Sequence, residues 1–316
     1  MNDPATAIVS STKFSDPDIT AKGERRAQVA FAGLRTLWVN TGTLCNITCA
    51  HCYIESSPLN DRLAYFRLAD LTGYLDEIAA HGWPTREIGF TGGEPFMNPD
   101  ILAMIELALL RGFSVLVLTN AMRPMRRHEA ALRDLLRRYG DRLVLRVSLD
   151  HPTLARHDEE RGSGSFAATL AGLKWLSDHG FTTHVAGRTL WGDDRGDLRR
   201  AYSALFAQEQ IGIDTGDERQ LVLFPEMDAA APVPEITESC WDILHVSPSA
   251  MMCASARMVV RRRESEAPAV VACTLLPYDP RFELGASLEQ SLRTVKLNHP
   301  HCAKFCVLGG GSCGGA

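Results

Sequence analysis

From about residue 34 onward, the chain alternates short runs of β-branched and apolar residues with longer runs that carry apolar residues at helical spacing. The first kind of run predicts buried strands, and the second kind predicts amphipathic helices. The predicted strands are residues 34–41, 87–90, 113–119, 143–149, 181–188 and 221–224. The predicted helices are residues 69–81, 100–111, 125–139, 166–179 and 197–207. This alternation indicates a parallel sheet covered by helices, either a barrel or a doubly wound open sheet.

The alternation ends at Pro225, where the pattern changes. Residues 229–234 read Ala, Ala, Ala, Pro, Val and Pro, which is typical of a linker. We therefore predict a domain boundary near residues 230–240. The predicted organisation is an N-terminal extension of residues 1–33, an α/β domain of residues 34–230 and a small C-terminal domain of residues 231–316.

The small C-terminal domain is predicted to contain both strands and a helix. Residues 257–263 and 267–273 are β-type runs that flank a short polar segment, so they predict a hairpin. A helix is predicted near residues 287–296. These elements predict a unit of the α+β class.

The composition is that of an ordinary soluble globular protein, with 45% apolar and 22% charged residues. A formal net charge of −5 argues against broad attraction to nucleic acid or to an anionic membrane. The first thirty residues lack the apolar core of a signal peptide, and the longest apolar run is interrupted by Glu106. We therefore expect a cytoplasmic protein. In that reducing compartment, metal or cluster ligation explains nine cysteines better than disulfides do.

Three of the cysteines, Cys45, Cys49 and Cys52, lie in one loop directly after the first predicted strand. Thiolates are soft ligands that suit iron–sulfur clusters, and their close spacing lets them converge on one cluster. Three protein ligands leave one iron of a four-iron cluster open, whereas a structural zinc site needs a fourth donor. His51 is the alternative fourth donor for zinc, but adjacent residues seldom point at one metal ion.

A second motif, Gly92 and Gly93 followed by Glu94, comes directly after the second predicted strand. Two adjacent glycines let the backbone approach a ligand closely and present carbonyl groups to it. Parallel α/β folds place their active sites at the carboxyl ends of the strands. The motif therefore belongs to the same predicted active-site edge as the cysteine loop.

The spacing of three and then two residues between the cysteines, with Tyr53 after the third, resembles the motif of the radical S-adenosylmethionine (SAM) superfamily. The resemblance implies a partial (β/α)6 barrel in which Cys45, Cys49 and Cys52 bind a [4Fe–4S] cluster. It also implies that the open iron is chelated by the amino and carboxylate groups of SAM. Reductive cleavage of SAM then releases methionine and a 5′-deoxyadenosyl radical, which abstracts a hydrogen atom from the substrate.

The resemblance further implies a set of SAM contacts, all in loops that follow predicted strands or at strand ends. They are Tyr53, Gly92, Gly93, Glu94, Asn120, Ser148 and Arg161. Ser148 and Arg161 are similar to residues that support the ribose or carboxylate of SAM in the branch that modifies peptides and sulfatases. The planar guanidinium of arginine suits a carboxylate. His151 stands where that branch usually has glycine, a departure that concerns the substrate side of the pocket.

The C-terminal cysteines resemble the twitch module, a shortened SPASM extension that binds one auxiliary [4Fe–4S] cluster near the substrate. Cys253 and Cys273 bracket the predicted hairpin, and Cys302 and Cys306 form a close pair after the predicted helix. Three residues separate this pair where two are more familiar, so Cys313 is a substitute ligand. A zinc site built from the same four cysteines is the alternative interpretation.

The predicted activity is that of an oxidoreductase-type radical SAM enzyme with an external electron donor of the flavodoxin or ferredoxin type. The polar stretch before the first strand is too short for a peptide-recognition domain, so a small metabolite is the predicted substrate and a peptide or protein side chain is the alternative. A non-catalytic electron-transfer or zinc scaffold is a third possibility, but it leaves Gly92, Gly93 and Ser148 unexplained. Candidates for acid–base chemistry are Asp150, His151 and His157.

Overall fold

The computed structural model describes residues 12–226 and 232–311, whose strands form one nine-stranded sheet and one two-stranded sheet. The strands are β1 (Gln28–Val29), β2 (Thr36–Asn40), β3 (Glu87–Thr91), β4 (Ser114–Thr119), β5 (Leu143–Ser148), β6 (Thr182–Arg188), β7 (Leu221–Phe224), β8 (Ala256–Val260), β9 (Ala269–Val271), β10 (Glu283–Gly285) and β11 (Val295–Lys296). The α-helices are α1 (Leu68–His81), α2 (Ile101–Leu110), α3 (Arg123–Arg126), α4 (Glu129–Tyr139), α5 (Leu154–Arg161), α6 (Ser165–Asp178), α7 (Arg195–Glu209) and α8 (Cys240–Leu244). Within these described ranges, no helix combines the length and the apolar character needed to cross a bilayer.

Six parallel strands form the main part of the large sheet, in the order β2, β3, β4, β5, β6 and β7. Each of these strands is joined to the next by a connection that contains at least one helix. This arrangement is a partial barrel of six strands, and it confirms the predicted fold. All six predicted strands are present, within two residues of their predicted limits.

Alternate residues of each strand point to opposite faces of the sheet, which explains how the helices are held. In β5, Leu143, Leu145 and Val147 are buried in an apolar cluster with the helices. Val144 of the same strand packs against a second cluster on the other face, which also contains Trp38 of β2. At the carboxyl ends of the strands, this second face opens into a cleft.

The predicted and observed helices differ in the following places. The helix predicted over residues 125–139 is two helices, α3 and α4, because His128 leaves helical geometry with φ −106° and ψ 14°. The helix predicted near residues 287–296 is wrong, because Val295 instead pairs with Val29, which is remote in sequence. Helix α5 was not predicted, since its polar sequence lacks an apolar stripe at helical spacing.

The predicted C-terminal hairpin is confirmed, because β8 and β9 are antiparallel. Strand β8 also pairs in parallel with β2, so the large sheet continues from the barrel strands into the hairpin. The N-terminal region contacts the C-terminal region through the pairing of β1 with β11 and a buried ion pair of 2.6 Å between Arg26 and Glu235. The domain limits at residues 33 and 230 stay a prediction.

Candidate functional site

The carboxyl ends of the parallel strands surround one cleft, which is the usual position of a ligand site in a parallel α/β fold. The three cysteines of the loop after β2 line this cleft. Of the predicted SAM contacts, all except Glu94 also line it, namely Tyr53, Gly92, Gly93, Asn120, Ser148 and Arg161. The structure therefore brings the predicted cluster ligands and all but one of the predicted SAM contacts to one place.

The cysteine loop has a shape that is fixed by hydrogen bonds to the segment that follows it. The Cys45 N–H donates to the Ser57 carbonyl at 3.1 Å, and the Glu55 N–H donates to the Cys52 carbonyl at 2.9 Å. The Ser56 N–H donates to Sγ of Cys52 at 3.3 Å. Hydrogen bonds to sulfur orient cluster ligands and influence cluster potentials.

The electrostatic surroundings of the three thiols fit a metal centre. Burial raises the pKa of Cys45 to about 12 and that of Cys49 to about 11, and the charge of Cys52 adds to both increases. A positive metal centre offsets these effects, because the thiolate is the form that binds metal. Among the described residues, no fourth cysteine lines the cleft. The donor set therefore fits a cluster that keeps one iron open to a ligand.

Gly92 and Gly93 pack the end of β3 against the cysteine loop. A Cβ atom on Gly93 would lie 2.1 Å from the carbonyl oxygen of Leu44, and one on Gly92 would lie 2.5 Å from that of Gly42. The Gly93 N–H donates to the Gly42 carbonyl at 2.7 Å. The two glycines are therefore required for close packing of the chain against itself, in addition to the predicted approach of a ligand.

Glu94 is buried, and its carboxylate is bonded within the protein. It accepts hydrogen bonds from Oγ1 of Thr119 and from the N–H groups of Phe96 and Asn120. Burial raises the pKa of Glu94 to about 7, although these hydrogen bonds act in the opposite direction. Glu94 thus joins the ends of β3 and β4 from outside the cleft lining, and its contact with SAM stays a prediction.

Asn120 and Arg161 reach the cleft from two different elements while remaining bonded to the protein. Nδ2 of Asn120 donates to Oδ1 of Asn46 in the cysteine loop at 2.9 Å. At the end of α5, Arg161 donates from Nε and Nη2 to the two carboxylate oxygens of Asp150, at 2.6 and 3.0 Å. Although burial acts to raise it, this ion pair holds the pKa of Asp150 below its usual value. Neither of these hydrogen bonds uses Nη1 of Arg161. The contacts of Arg161 and Ser148 with SAM stay predictions.

The two histidine candidates for acid–base chemistry do not line the cleft. His157 has 0% exposed surface, and burial lowers its pKa to about 4. Its Nδ1 accepts a hydrogen bond from the Asp150 N–H at 3.2 Å. Nδ1 of His151 accepts from the Thr153 N–H at 3.0 Å, and its ring meets that of Trp191 edge-on. Because neither histidine lines the cleft, neither is placed to exchange a proton with a substrate there.

The buried side chains of Glu160 and Arg188 and the exposed His51 form a network that we call the loop clamp, and sequence reasoning missed it. The Glu160 carboxylate accepts a hydrogen bond from Nη1 of Arg188 at 2.7 Å and one from the His51 N–H at 3.0 Å, and it lies 2.6 Å from Nδ1 of His51. Nη1 of Arg188 also donates to the His51 carbonyl at 3.3 Å. Since His51 lies within the cysteine loop, α5 and β6 hold that loop in place. The only available signal was an arginine at a predicted strand end.

The four predicted ligands of the auxiliary cluster line a second cavity, of about 330 Å³. Cys253 lies in the turn before β8, and Cys273 follows β9. Cys302 and Cys306 lie in the π-helical segment Cys302–Val307. Residues four positions apart in a helix share a face, which explains the spacing of three residues between these two cysteines. The predicted substitute, Cys313, lies outside the described residues.

The second cavity is apolar and lies beside a buried positive charge. Burial raises the pKa of Cys253 to about 11 and that of Cys302 well above its usual value, and neighbouring thiol charges add to the increase at Cys302. Burial lowers the pKa of Arg257 to about 10, against the opposite effect of the charges on Cys253 and Cys273. Four cysteines that line one cavity supply the type of donor that iron–sulfur clusters use.

Sequence comparison relates the chain to one superfamily and to longer proteins. Residues 39–200, which contain the cysteine loop and both glycines, match the radical SAM superfamily. Over 143 residues, 45% of its length, the chain is 37% identical to the antilisterial bacteriocin subtilosin biosynthesis protein AlbA of Bacillus subtilis. Over 139 residues, 43% of its length, it is 29% identical to the mycofactocin maturase MftC of Mycobacterium ulcerans. The matched regions span only 30% of AlbA and 35% of MftC.

Solved structures show the same fold. The crystal structure of Streptococcus suis SuiB bound to S-adenosylmethionine has a TM-score of 0.58 and 11% identity, over 81% of this chain and 64% of that chain. SuiB bound to the precursor peptide SuiA has a TM-score of 0.53 and 12% identity, over 83% of this chain and 64% of that chain. At such low identity, the similarity establishes the fold alone.

Proposed function

Because this chain belongs to the radical SAM superfamily, we propose that it cleaves SAM reductively and uses the 5′-deoxyadenosyl radical to take a hydrogen atom from a peptide. The observation that carries this proposal is the convergence of Cys45, Cys49 and Cys52 with Gly92 and Gly93 on one cleft. The cleft lies at the edge of the sheet where parallel α/β folds place their active sites. Three thiols suit a cluster that keeps one iron open for SAM.

In the proposed mechanism, the protein holds the reacting groups in line and limits their contact with water. The three cysteines of the loop would hold a [4Fe–4S] cluster, which would supply the electron for the cleavage of SAM. Ser148 at the end of β5 and Arg161 at the end of α5 orient SAM, and an external flavodoxin- or ferredoxin-type protein donates the electron. The loop clamp keeps the cysteines at a constant position relative to β6, so that SAM and substrate stay aligned.

We also infer that Cys253, Cys273, Cys302 and Cys306 hold an auxiliary [4Fe–4S] cluster. The support is that all four line one cavity, where thiolates are the ligands that iron–sulfur clusters use. The cluster is proposed to accept an electron from the substrate radical or to position the substrate. A zinc ion is the alternative occupant, because four thiolates also make a tetrahedral zinc site.

Replacement of Cys45, Cys49 and Cys52 together by alanine tests both parts of the proposal. After anaerobic reconstitution, we expect the wild type to hold about eight irons and the variant about four. With dithionite as the reductant, only the wild type should convert SAM to 5′-deoxyadenosine, which chromatography measures.

Cys240→Ala is the matched control for this test. Cys240 lines neither cavity, and its Sγ lies 3.3 Å from Oγ1 of Thr237. The control should therefore retain the iron content and the activity of the wild type. Undiminished formation of 5′-deoxyadenosine by the triple variant would overturn the proposed function, whereas zinc in the wild type would overturn only the auxiliary cluster.

The comparisons favour a peptide over the small metabolite that the sequence predicts. AlbA is named for the biosynthesis of a bacteriocin, MftC is named a maturase, and SuiB has been solved with a precursor peptide. These properties belong to those proteins, and they support the peptide alternative for this chain.

Co-expression with a short peptide encoded beside this gene tests the substrate. We expect the peptide to lose hydrogen and therefore mass when the wild-type chain is present, as measured by mass spectrometry. The triple-cysteine variant should leave the peptide unchanged. If the mass stays constant while a low-molecular-weight cell extract stimulates formation of 5′-deoxyadenosine, the substrate is a small molecule.

A further inference from the structure

Arg257 of β8 is a buried arginine without a carboxylate partner among the described residues. Only 1% of its surface is exposed. Its guanidinium donates four hydrogen bonds, and all of them go to backbone carbonyl oxygens. The acceptors are Cys253 at 2.6 Å, Ala256 at 2.8 Å, Ser291 at 3.0 Å and Arg293 at 3.1 Å. Carbonyl groups satisfy the N–H donors, but they do not neutralise the charge.

Four other arginines that are buried or partly buried have a carboxylate beside them. Arg26 pairs with Glu235, Arg161 with Asp150, Arg188 with Glu160 and Arg261 with Asp70. This contrast is expected from the high cost of an uncompensated charge in a protein interior. Arg257 therefore requires negative charge from another source.

The four cysteines proposed to hold the auxiliary cluster are the candidate source, because Arg257 donates a hydrogen bond to the carbonyl of one of them, Cys253. Burial lowers the pKa of Arg257, thiolates at Cys253 and Cys273 act to raise that pKa, and the positive charge of Arg293 acts to lower it. The guanidinium is fixed in position by its hydrogen bond to the Cys253 carbonyl and by the ring of Phe31, whose centroid lies 4.2 Å from Cζ. The positive charge is thus held rigidly beside one of the predicted metal ligands.

We propose that Arg257 is the charge partner of the auxiliary centre and sets its reduction potential, an inference that rests on the proposed auxiliary cluster. A [4Fe–4S] cluster with four thiolate ligands is anionic and becomes more so when it accepts one electron. A fixed positive charge in a medium of low dielectric constant stabilises the reduced form over the oxidised form. Arg257 acts here as a positioning residue for charge, without contact with SAM or substrate.

Arg257→Gln and Arg257→Lys test this proposal in the full chain that carries the triple-cysteine replacement, so that only the auxiliary cluster gives a signal. A redox titration followed by electron paramagnetic resonance measures the midpoint potential. For Arg257→Gln, we expect the equilibrium constant for one-electron reduction to fall at least about tenfold, which corresponds to about 59 mV. Arg257→Lys keeps the charge and should retain the parent potential.

Arg261→Gln is the matched control, because Arg261 follows the same strand and pairs with Asp70 at 3.2 Å. It should leave the potential unchanged. If the parent holds zinc or no iron, the auxiliary-cluster proposal fails, and the role of Arg257 fails with it. If iron is present and Arg257→Gln keeps the parent potential, only the role of Arg257 is overturned.

The lysine variant separates charge from hydrogen bonding. A shift in Arg257→Lys as large as that in Arg257→Gln would overturn the proposal, because the effect would then come from the lost hydrogen bonds. If Arg257→Gln does not fold, the reduction potential of Arg257→Lys still tests the proposal. The proposal requires an unchanged potential in Arg257→Lys. A fall of about tenfold in the equilibrium constant for one-electron reduction would contradict it.

Discussion

Glu160→Gln is expected to lower the free energy of unfolding by about 3–5 kcal/mol, because it removes one charge of a buried ion pair and leaves the other. The side chains of Glu160 and Arg188 are 2% and 10% exposed, and the pair is 2.7 Å long. Solvent therefore offers Arg188 little compensation for the lost carboxylate. Unfolding by urea, followed by circular dichroism, measures the change.

The same substitution should also weaken the cysteine loop, since Glu160 bonds both the backbone and the side chain of His51. We expect the reconstituted variant to bind less iron at the loop and to form 5′-deoxyadenosine more slowly than the wild type. Glu159→Gln is the matched control, because Glu159 is the preceding residue on α5 and is exposed. Its free energy of unfolding should change by no more than about 0.5 kcal/mol.

A double-mutant cycle identifies the partner. If Glu160 acts through Arg188, the combined variant Glu160→Gln and Arg188→Met should be less destabilised than the sum of the single changes. Purely additive effects would contradict the loop clamp. Equal stability of Glu160→Gln and Glu159→Gln would contradict it as well.

Gly93→Ala is expected to destabilise the protein by about 4 kcal/mol or more and to prevent cluster binding at the loop. The added Cβ would lie 2.1 Å from the Leu44 carbonyl oxygen, next to Cys45. Because the obstructing atom belongs to the backbone, the clash cannot be relieved by a change of rotamer. Urea unfolding and iron content after reconstitution measure the two effects.

Gly73→Ala is the same chemical change, but it is expected to raise the free energy of unfolding instead of lowering it. Gly73 lies within α1, and a Cβ atom there meets nothing within 4 Å. Alanine is the better helix former, so the variant should gain about 0.5–1 kcal/mol of stability. A Gly93→Ala variant that is as stable as Gly73→Ala and binds iron normally would show that the loop and β3 are not packed as described.

Much of the barrel could be predicted from the sequence, because strands and helices differ in the spacing of apolar residues. The strand predicted over residues 221–224 is the observed β7. The prediction failed where contacts remote in sequence decided the conformation. Residues 287–296 have apolar positions compatible with a helix, yet Val295 pairs with Val29.

The sequence indicated most of the residues that line the candidate site. It did not indicate the side chains that hold the cysteine loop in place. The close spacing of Cys45, Cys49 and Cys52 predicts them as cluster ligands, because one loop carries all three thiols. The predicted contact of Glu94 with SAM stays a prediction, and the structure adds that its carboxylate bonds Thr119 and Asn120 of the neighbouring strand end. The residues next to Glu94 in the sequence do not indicate which groups will donate hydrogen bonds to its carboxylate.

The sequence by itself determined where the strands, the cysteine loop and the C-terminal cysteines lie along the chain, because apolar periodicity and ligand spacing are local properties. Only the tertiary structure decided that Glu160 and Arg188 hold His51, and that Arg257 bonds the backbone of Cys253. These contacts join residues that strand pairing and helix packing bring together from distant parts of the chain. The partner of a buried charged side chain depends on the three-dimensional fold, so a short sequence pattern does not predict it.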